Sequence, residues 1–139
     1  MKKLCHKNKI HFFLSNDVKL AIKLDLDGVY IPSFNSSFSH NSFNLKKKFK
    51  IIGSAHNLKE IRIKEKQNIS LIFLSSIFKN SKNKKFLGIY KFLKLMRLTK
   101  KDIVCLGGVN EKNIKQINLL NLNKIASISM FQKLLKNNE

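Results

Sequence analysis

The sequence predicts an α/β fold whose strands run parallel. Two observations carry this expectation. Six short apolar runs alternate with stretches of helical spacing, the order produced when each strand is followed by a helix that covers it. The runs are continuously apolar and do not alternate in and out, which marks strands covered on both faces.

The first run spans residues 10–15, and Val18, Ala21 and Ile22 follow it at helical spacing. The second spans 28–31 and opens into a Ser/Asn/Phe-rich loop at 33–44. A third run, 49–53, precedes Asn57 and Glu60, the spacing of a capping pair, with Leu58 and Ile61 on one helix face. The fourth run, 69–77, is nearly all apolar, and Ile89, Phe92, Leu93 and Met96 mark the next helix. The fifth, 102–106, ends at Gly107-Gly108, after which Asn110 is expected to cap a helix through Ile114 and Ile117. The sixth, 125–128, leads into Phe131, Leu134 and Leu135. No linker composition divides the chain, so residues 1–139 read as one domain.

The net charge of +20 suits nucleic acid, an anionic membrane surface or a phosphorylated ligand. All the basic residues except Arg62 and Arg97 are lysines scattered among asparagines. Base reading and planar phosphate forks favour arginine, so most of this charge reads as a solvated surface. The runs Lys46-Lys47-Lys48 and Lys82-Asn83-Lys84-Lys85 are the clusters that stand out. Phe34, Phe38 and Phe43 do not interleave with them as stacking platforms would, which disfavours a nucleic-acid-binding module. Cys5 and Cys105 have no metal or redox spacing and are expected as reduced thiols, Cys105 buried. Neither a signal-peptide pattern nor an apolar run of ~18 residues is found, so a cytoplasmic protein without a membrane partner is expected.

In such folds reactive groups gather where strands end and loops begin. Those positions hold Asn16-Asp17, Asn35, Ser54 and His56, the basic loop with Lys82, Gly107-Gly108 and Ser129. Each also has a plainer reading. Asn16-Asp17 suits a helix cap, His56 an ordinary loop histidine, Gly107-Gly108 a tight turn and Ser129 an N-cap. Taken together, two glycine amides, two helix N-termini and a lysine loop would make a phosphate cradle. Among the carboxylates only Asp17 follows a strand. Asp27 and Asp102 open strands and belong at the opposite end.

The order of these motifs resembles the thiamine phosphate synthase/TenI family. Phe12-Phe13-Leu14-Ser15-Asn16-Asp17 is similar to that family's strand ending in Asn-Asp, and Asp27-Gly28-Val29-Tyr30-Ile31 to its Asp-Gly-Val-His-Leu strand. Ile51-Ile52-Gly53-Ser54-Ala55-His56 resembles its Ile-Gly-x-Ser-x-His turn, one residue shorter. Ser76-Ile77-Phe78 followed by Lys82 resembles the Pro-Ile-Phe strand end and its basic loop. Val104-Cys105-Leu106-Gly107-Gly108-Val109 resembles its Gly-Gly strand, and Ile125-Ala126-Ser127-Ile128-Ser129 its last strand.

The resemblance implies an incomplete (β/α)8 TIM-barrel fold, the six strands matching barrel strands 3–8. It implies a synthase that joins hydroxymethylpyrimidine diphosphate to thiazole phosphate with Mg2+. Asp17 would hold the metal with Asn35 as a second, uncharged ligand. Asn16 would lie beside the diphosphate, Ser54 at the substrate, and Lys82 at the departing diphosphate. Gly107, Gly108 and Ser129 would hold the thiazole phosphate. A TenI-like tautomerase using His56 as a proton carrier and a non-catalytic phosphate binder are the family's alternatives. Where the family's second metal Asp stands, this chain reads Pro32-Ser33-Phe34-Asn35. Residues 1–9 resemble the end of the family's second helix, which implies that the first two strands are absent. Open barrel edges are then expected to drive self-association.

Overall fold

A computed structural model describes residues 1–80, 85–120, 122, 124–130 and 132. Strand order is β1 (Phe13–Ser15), β2 (Gly28–Ile31), β3 (Lys50–Ala55), β4 (Leu71–Leu74), β5 (Asp102–Leu106) and β6 (Ile125–Ala126). The helices between them are α1 (Lys2–Lys7) before β1, α2 (Val18–Lys23), α3 (Leu58–Lys66), α4 (Gly88–Arg97) and α5 (Ile114–Leu119). The alternating α/β order expected from the sequence is observed. The chain divides into two compact units, Met1–Ile72 and Phe73–Glu139.

In the first unit β1, β2 and β3 pair in parallel, with Leu14 opposite Val29 and Tyr30 opposite Ile52. Val29, Ile31, Ile51, Ile52 and Ala55 are buried, as continuous apolar runs require. Val18 and Ala21 of α2 and Ile61 of α3 are buried with them. Helix α2 starts at Asp17, whose Oδ1 accepts from Leu20 N at 2.9 Å. Helix α3 starts at Asn57, whose Oδ1 accepts from Glu60 N at 3.0 Å, so the expected capping pair is present.

In the second unit β5 and β6 pair in parallel, Cys105 opposite Ile125. Of the Ile89, Phe92, Leu93 and Met96 expected from spacing, Phe92 is buried, and Leu95 is buried with it on α4. Leu74, Ile77, Val104, Cys105, Val109 and Ile117 are also buried. Burial pushes the Cys105 thiol up to about 12.

Several expected boundaries move for local reasons. The first run was expected as strand over 10–15, yet Ile10 N donates to Cys5 O and Phe12 N to the Asp27 carboxylate, so both leave the ladder. The fourth run keeps only four residues as strand. Beyond it, Ile77 N and Phe78 N donate to the Leu106 and Gly107 carbonyls. Asp27 and Asp102 do sit at strand starts, where Asp27 serves Phe12 N and Asp102 pairs with Lys124 at 2.6 Å. Lys46 of the first lysine run is paired with Asp25 at 2.6 Å. Among the described residues no helix is long and apolar enough to cross a membrane.

Candidate functional site

The first unit carries four polar groups past its strand ends, Asn16, Asp17, Asn35 and His56. Asn16 follows β1 with a left-handed φ of 61°, a conformation that asparagine tolerates better than most residues. Its Oδ1 accepts from Asn35 Nδ2 at 2.7 Å, so the structure brings together two residues expected at the diphosphate end. Asn35 Oδ1 in turn accepts from Ser37 N at 2.8 Å. Asp17, the expected metal ligand, has Oδ1 committed to its helix cap.

His56 follows β3. Its Nδ1 lies 2.9 Å from Glu60 Oε2, which also accepts from His56 N at 2.8 Å. Glu60 Oε1 accepts from Asn57 Nδ2 at 2.7 Å. The carboxylate is therefore fixed by three donors and in turn fixes the ring. A ring donating Nδ1–H to Glu60 presents Nε2 as a proton acceptor, with the tautomer assigned from this contact. Ser54, one turn of strand earlier, is buried at 5% exposure.

The loop behind Asn35 has an anchor that sequence reading missed. Lys64 is fully buried, and Nζ donates to Pro32 O at 2.8 Å, Asn35 O at 2.7 Å and Gln67 Oε1 at 2.9 Å. Burial lowers its pKa to about 8, opposed by the Glu60 charge. The available signal was position, since Lys64 lies three residues after Ile61 on the face that packs inward.

In the second unit Gly107, Gly108 and Ser129 line one cavity of about 430 Å³, with Lys79, Asn80, Asn110 and Ser127 also on its wall. The glycines have positive φ, 94° and 72°. A Cβ on Gly108 would lie 2.6 Å from Phe78 O, so the tight-turn reading of this pair holds: backbone crowding requires glycine. The Gly108 carbonyl accepts from Asn113 Nδ2 at 2.8 Å and Asn110 Nδ2 at 3.1 Å. A trans peptide then points Val109 N–H the opposite way.

Two expectations here are corrected. For Asn110, the cap is one turn earlier than α5 itself: its Oδ1 accepts from Lys112 N and its carbonyl from Ile114 N, both at 2.9 Å, while Asn113, at the N-cap position of α5, makes no side-chain cap. Ser129 is not an N-cap. Ser127 Oγ takes that role from Met130 N at 3.3 Å, and also donates to Val109 O at 2.7 Å. Two residues of offset decide this, because the helical turn begins at Ile128. Among the described residues Ser129 Oγ keeps only contacts of 3.4 Å, to Val109 O and Ser127 Oγ. Lys82 lies outside the described residues. Among those described, no cluster of three or more His, Cys, Asp or Glu is placed to hold a metal ion.

Parallel strands in sequence order, with helices between β1 and β2, β3 and β4, β4 and β5, and β5 and β6, and polar groups just past the strand ends, define an α/β protein of the TIM-barrel type. Within that class, the family model for thiamine monophosphate synthase matches residues 1–131, and the chain belongs to that family. It is 25% identical over 134 residues to a thiamine-phosphate synthase of Persephonella marina, and 28% identical over 134 residues to thiamine-phosphate synthase 1 of Streptococcus pneumoniae. Each alignment covers 93% of this chain and 63% of the relative. The chain thus spans less than two thirds of the length of the relatives it matches. The solved thiamine phosphate pyrophosphorylase from Pyrococcus furiosus aligns with a TM-score of 0.75 at 22% identity, over 92% of this chain and 62% of that one, a likeness of fold.

Proposed function

We propose that the chain contributes to thiamine phosphate synthesis and that its second unit holds the phosphate of a thiazole phosphate. The observation that carries this reading is the cavity past β5 and β6. Its wall combines the Gly107-Gly108 turn, Ser129 and Lys79. Amides in a left-handed turn, a hydroxyl and an ammonium are donors suited to a phosphate.

The first unit would take the pyrimidine diphosphate. Asn16 and Asn35 would orient it, with Ser54 beside the substrate. Asp17 would hold Mg2+ through the carboxylate oxygen that the helix cap leaves over. Hard oxygen donors suit this ion, but one carboxylate is a thin set, and the Asn35 amide oxygen accepts from Ser37 N in its own loop. When bound, Mg2+ would neutralise charge on the departing diphosphate. Lys82 would meet the same group. The thiazole nitrogen would then form its bond to the pyrimidine methylene carbon as the diphosphate oxygen leaves with the bonding pair. Positioning and charge neutralisation supply most of such a barrier reduction.

One observation favours a second reading within the family. The His56–Glu60 contact is the arrangement of an oriented base, which suits a thiazole tautomerase moving protons through His56 Nε2.

Calorimetry with a thiazole phosphate and a coupled synthesis assay test these roles. The expected result for residues 1–139 alone is weak binding with little or no thiamine phosphate formed, because the diphosphate end has one carboxylate. No binding of the phosphate ligand would overturn the assignment of the cavity. Robust Mg2+-dependent synthesis would overturn the expected weakness of the diphosphate end.

A further inference from the structure

A lysine with no exposed surface is expensive to keep. Removing an ammonium from water costs several kcal/mol unless its donors are matched. Lys64 has three N–H donors and three oxygen acceptors, at 2.7, 2.8 and 2.9 Å. The match is complete, and two of the acceptors are main-chain carbonyls of the loop after β2.

That loop forms no sheet or helix between Pro32 and Phe38, and its own backbone serves the Pro32 carbonyl through Asn35 N at 3.1 Å. Helix α3 serves the loop with two side chains one turn apart. Lys64 serves Pro32 O and Asn35 O. Gln67, also fully buried, donates Nε2 to Asn35 O at 3.0 Å and Ser37 O at 2.7 Å. A third contact closes the same region, where buried His40 Nε2 lies 2.8 Å from Gln67 O. The Asn35 carbonyl is the focus, since both Lys64 and Gln67 reach it. From Asn35 the path continues through its side-chain amide to Asn16, the neighbour of Asp17.

We propose that Lys64 is a positioning residue: its ammonium clamps the loop after β2 so that Asn35 meets Asn16 at the strand ends. A leucine or methionine at this position would pack equally well against Ile61 but leave two loop carbonyls without this partner. The role rests on the reading that Asn16, Asp17 and Asn35 form the diphosphate end.

The test uses the 15N-labelled full chain and Lys64→Met, which keeps the length of the side chain and removes its donors. In the variant, the amides of Asn35 and Ser37 are expected to exchange with solvent at least about tenfold faster. The amides of α3 and β3 should keep their protection, and the Asn35 side-chain amide resonance should move toward that of a free asparagine. Binding of inorganic diphosphate with Mg2+ is expected to weaken about tenfold, the loss of one charged hydrogen bond's worth of order. Unchanged loop exchange together with an unchanged Asn35 amide resonance would overturn the clamp. If Lys64→Met does not fold, the unmodified chain decides. A slowly exchanging Lys64 ammonium with cross-peaks to Asn35 supports the clamp, and the lack of those cross-peaks overturns it. If the unmodified chain does not bind diphosphate while the exchange pattern holds, the clamp stands and the assignment of the diphosphate end fails.

Discussion

Asn35 donates its side-chain amide to Asn16 Oδ1 at 2.7 Å and so joins the loops that follow β2 and β1. Asn16 can receive it because a left-handed backbone turns its side chain out of the strand direction. Neither residue brings charge, so among Asn16, Asp17 and Asn35 the carboxylate is Asp17.

Asn35→Asp should add a second carboxylate near Asp17 and raise Mg2+ affinity, by about tenfold if the new group reaches the ion. The same change removes the donor to Asn16 Oδ1 and should lower stability by about 1 kcal/mol. Titration calorimetry with Mg2+ and a urea denaturation midpoint read the two effects separately. Tighter Mg2+ binding would support the placement of the metal beside Asp17.

Ser129→Ala should weaken binding of a thiazole phosphate by up to about tenfold, the worth of one hydrogen bond to a charged group. Stability should change little, because among the described residues Ser129 Oγ makes only contacts of 3.4 Å. Asp17→Ala should weaken the same binding less, and should instead destabilise α2 by about 1 kcal/mol through loss of its cap. Calorimetry on the two variants orders the effects.

Asp27 accepts the Phe12 amide at 2.8 Å, and that hydrogen bond, assisted by His11, holds its carboxyl below the usual carboxylate range. A lowered folded-state pKa means that the unfolded chain binds the proton more readily. The stabilisation is therefore fully present above about pH 4 and is lost as pH falls through the folded value. The side chain is 46% exposed, so solvent screening limits the charge contribution to roughly 0.5 kcal/mol. Asp27→Ala should be less stable than the parent chain at pH 7, with the gap narrowing in acid. Denaturation midpoints at pH 7 and pH 3 check this.

Cys105 is buried with its thiol pushed up to about 12, whereas Cys5 is half-buried on α1. Thiolate is the species that alkylates. Iodoacetamide at pH 8 should modify Cys5 in the native chain and leave Cys105 unmodified until denaturant is added. Peptide mass mapping distinguishes the two. Equal native labelling of both would contradict the packing of β5.

Much of the architecture was legible because it rests on local chemistry. Five of the six apolar runs contain the observed strand, and the third, 49–53, overlaps β3, which runs on to Ala55, since a strand covered on both faces needs apolar residues at consecutive positions. The Asn57–Glu60 cap was legible because its geometry is fixed by a three-residue spacing. Strand ends were less so. Whether Phe12 joins β1 depends on Asp27, fifteen residues away, offering its carboxylate to the amide.

The candidate site was readable to the level of which loops carry it. The sequence placed Asn16, Asn35 and His56 just past their strands, and the Gly107-Gly108 turn and Ser129 past theirs. It did not show the partners. Ser129 and Ser127 are two residues apart, and only the start of the helical turn at Ile128 decides which caps it. Asn110 and Asn113 differ in the same way, because both carry a side chain able to cap.

By itself the sequence determined the strand and helix order, the glycine turn and the family motifs, all set by neighbours along the chain. The tertiary structure decided that Asn35 meets Asn16, that Glu60 holds His56 and that Lys64 is buried under the Pro32–Asn35 carbonyls. A lysine's chemical type favours water, and only the arrangement of three oxygens around one ammonium makes burial tolerable. That arrangement comes from a loop about thirty residues away in the chain, where no local pattern could announce it.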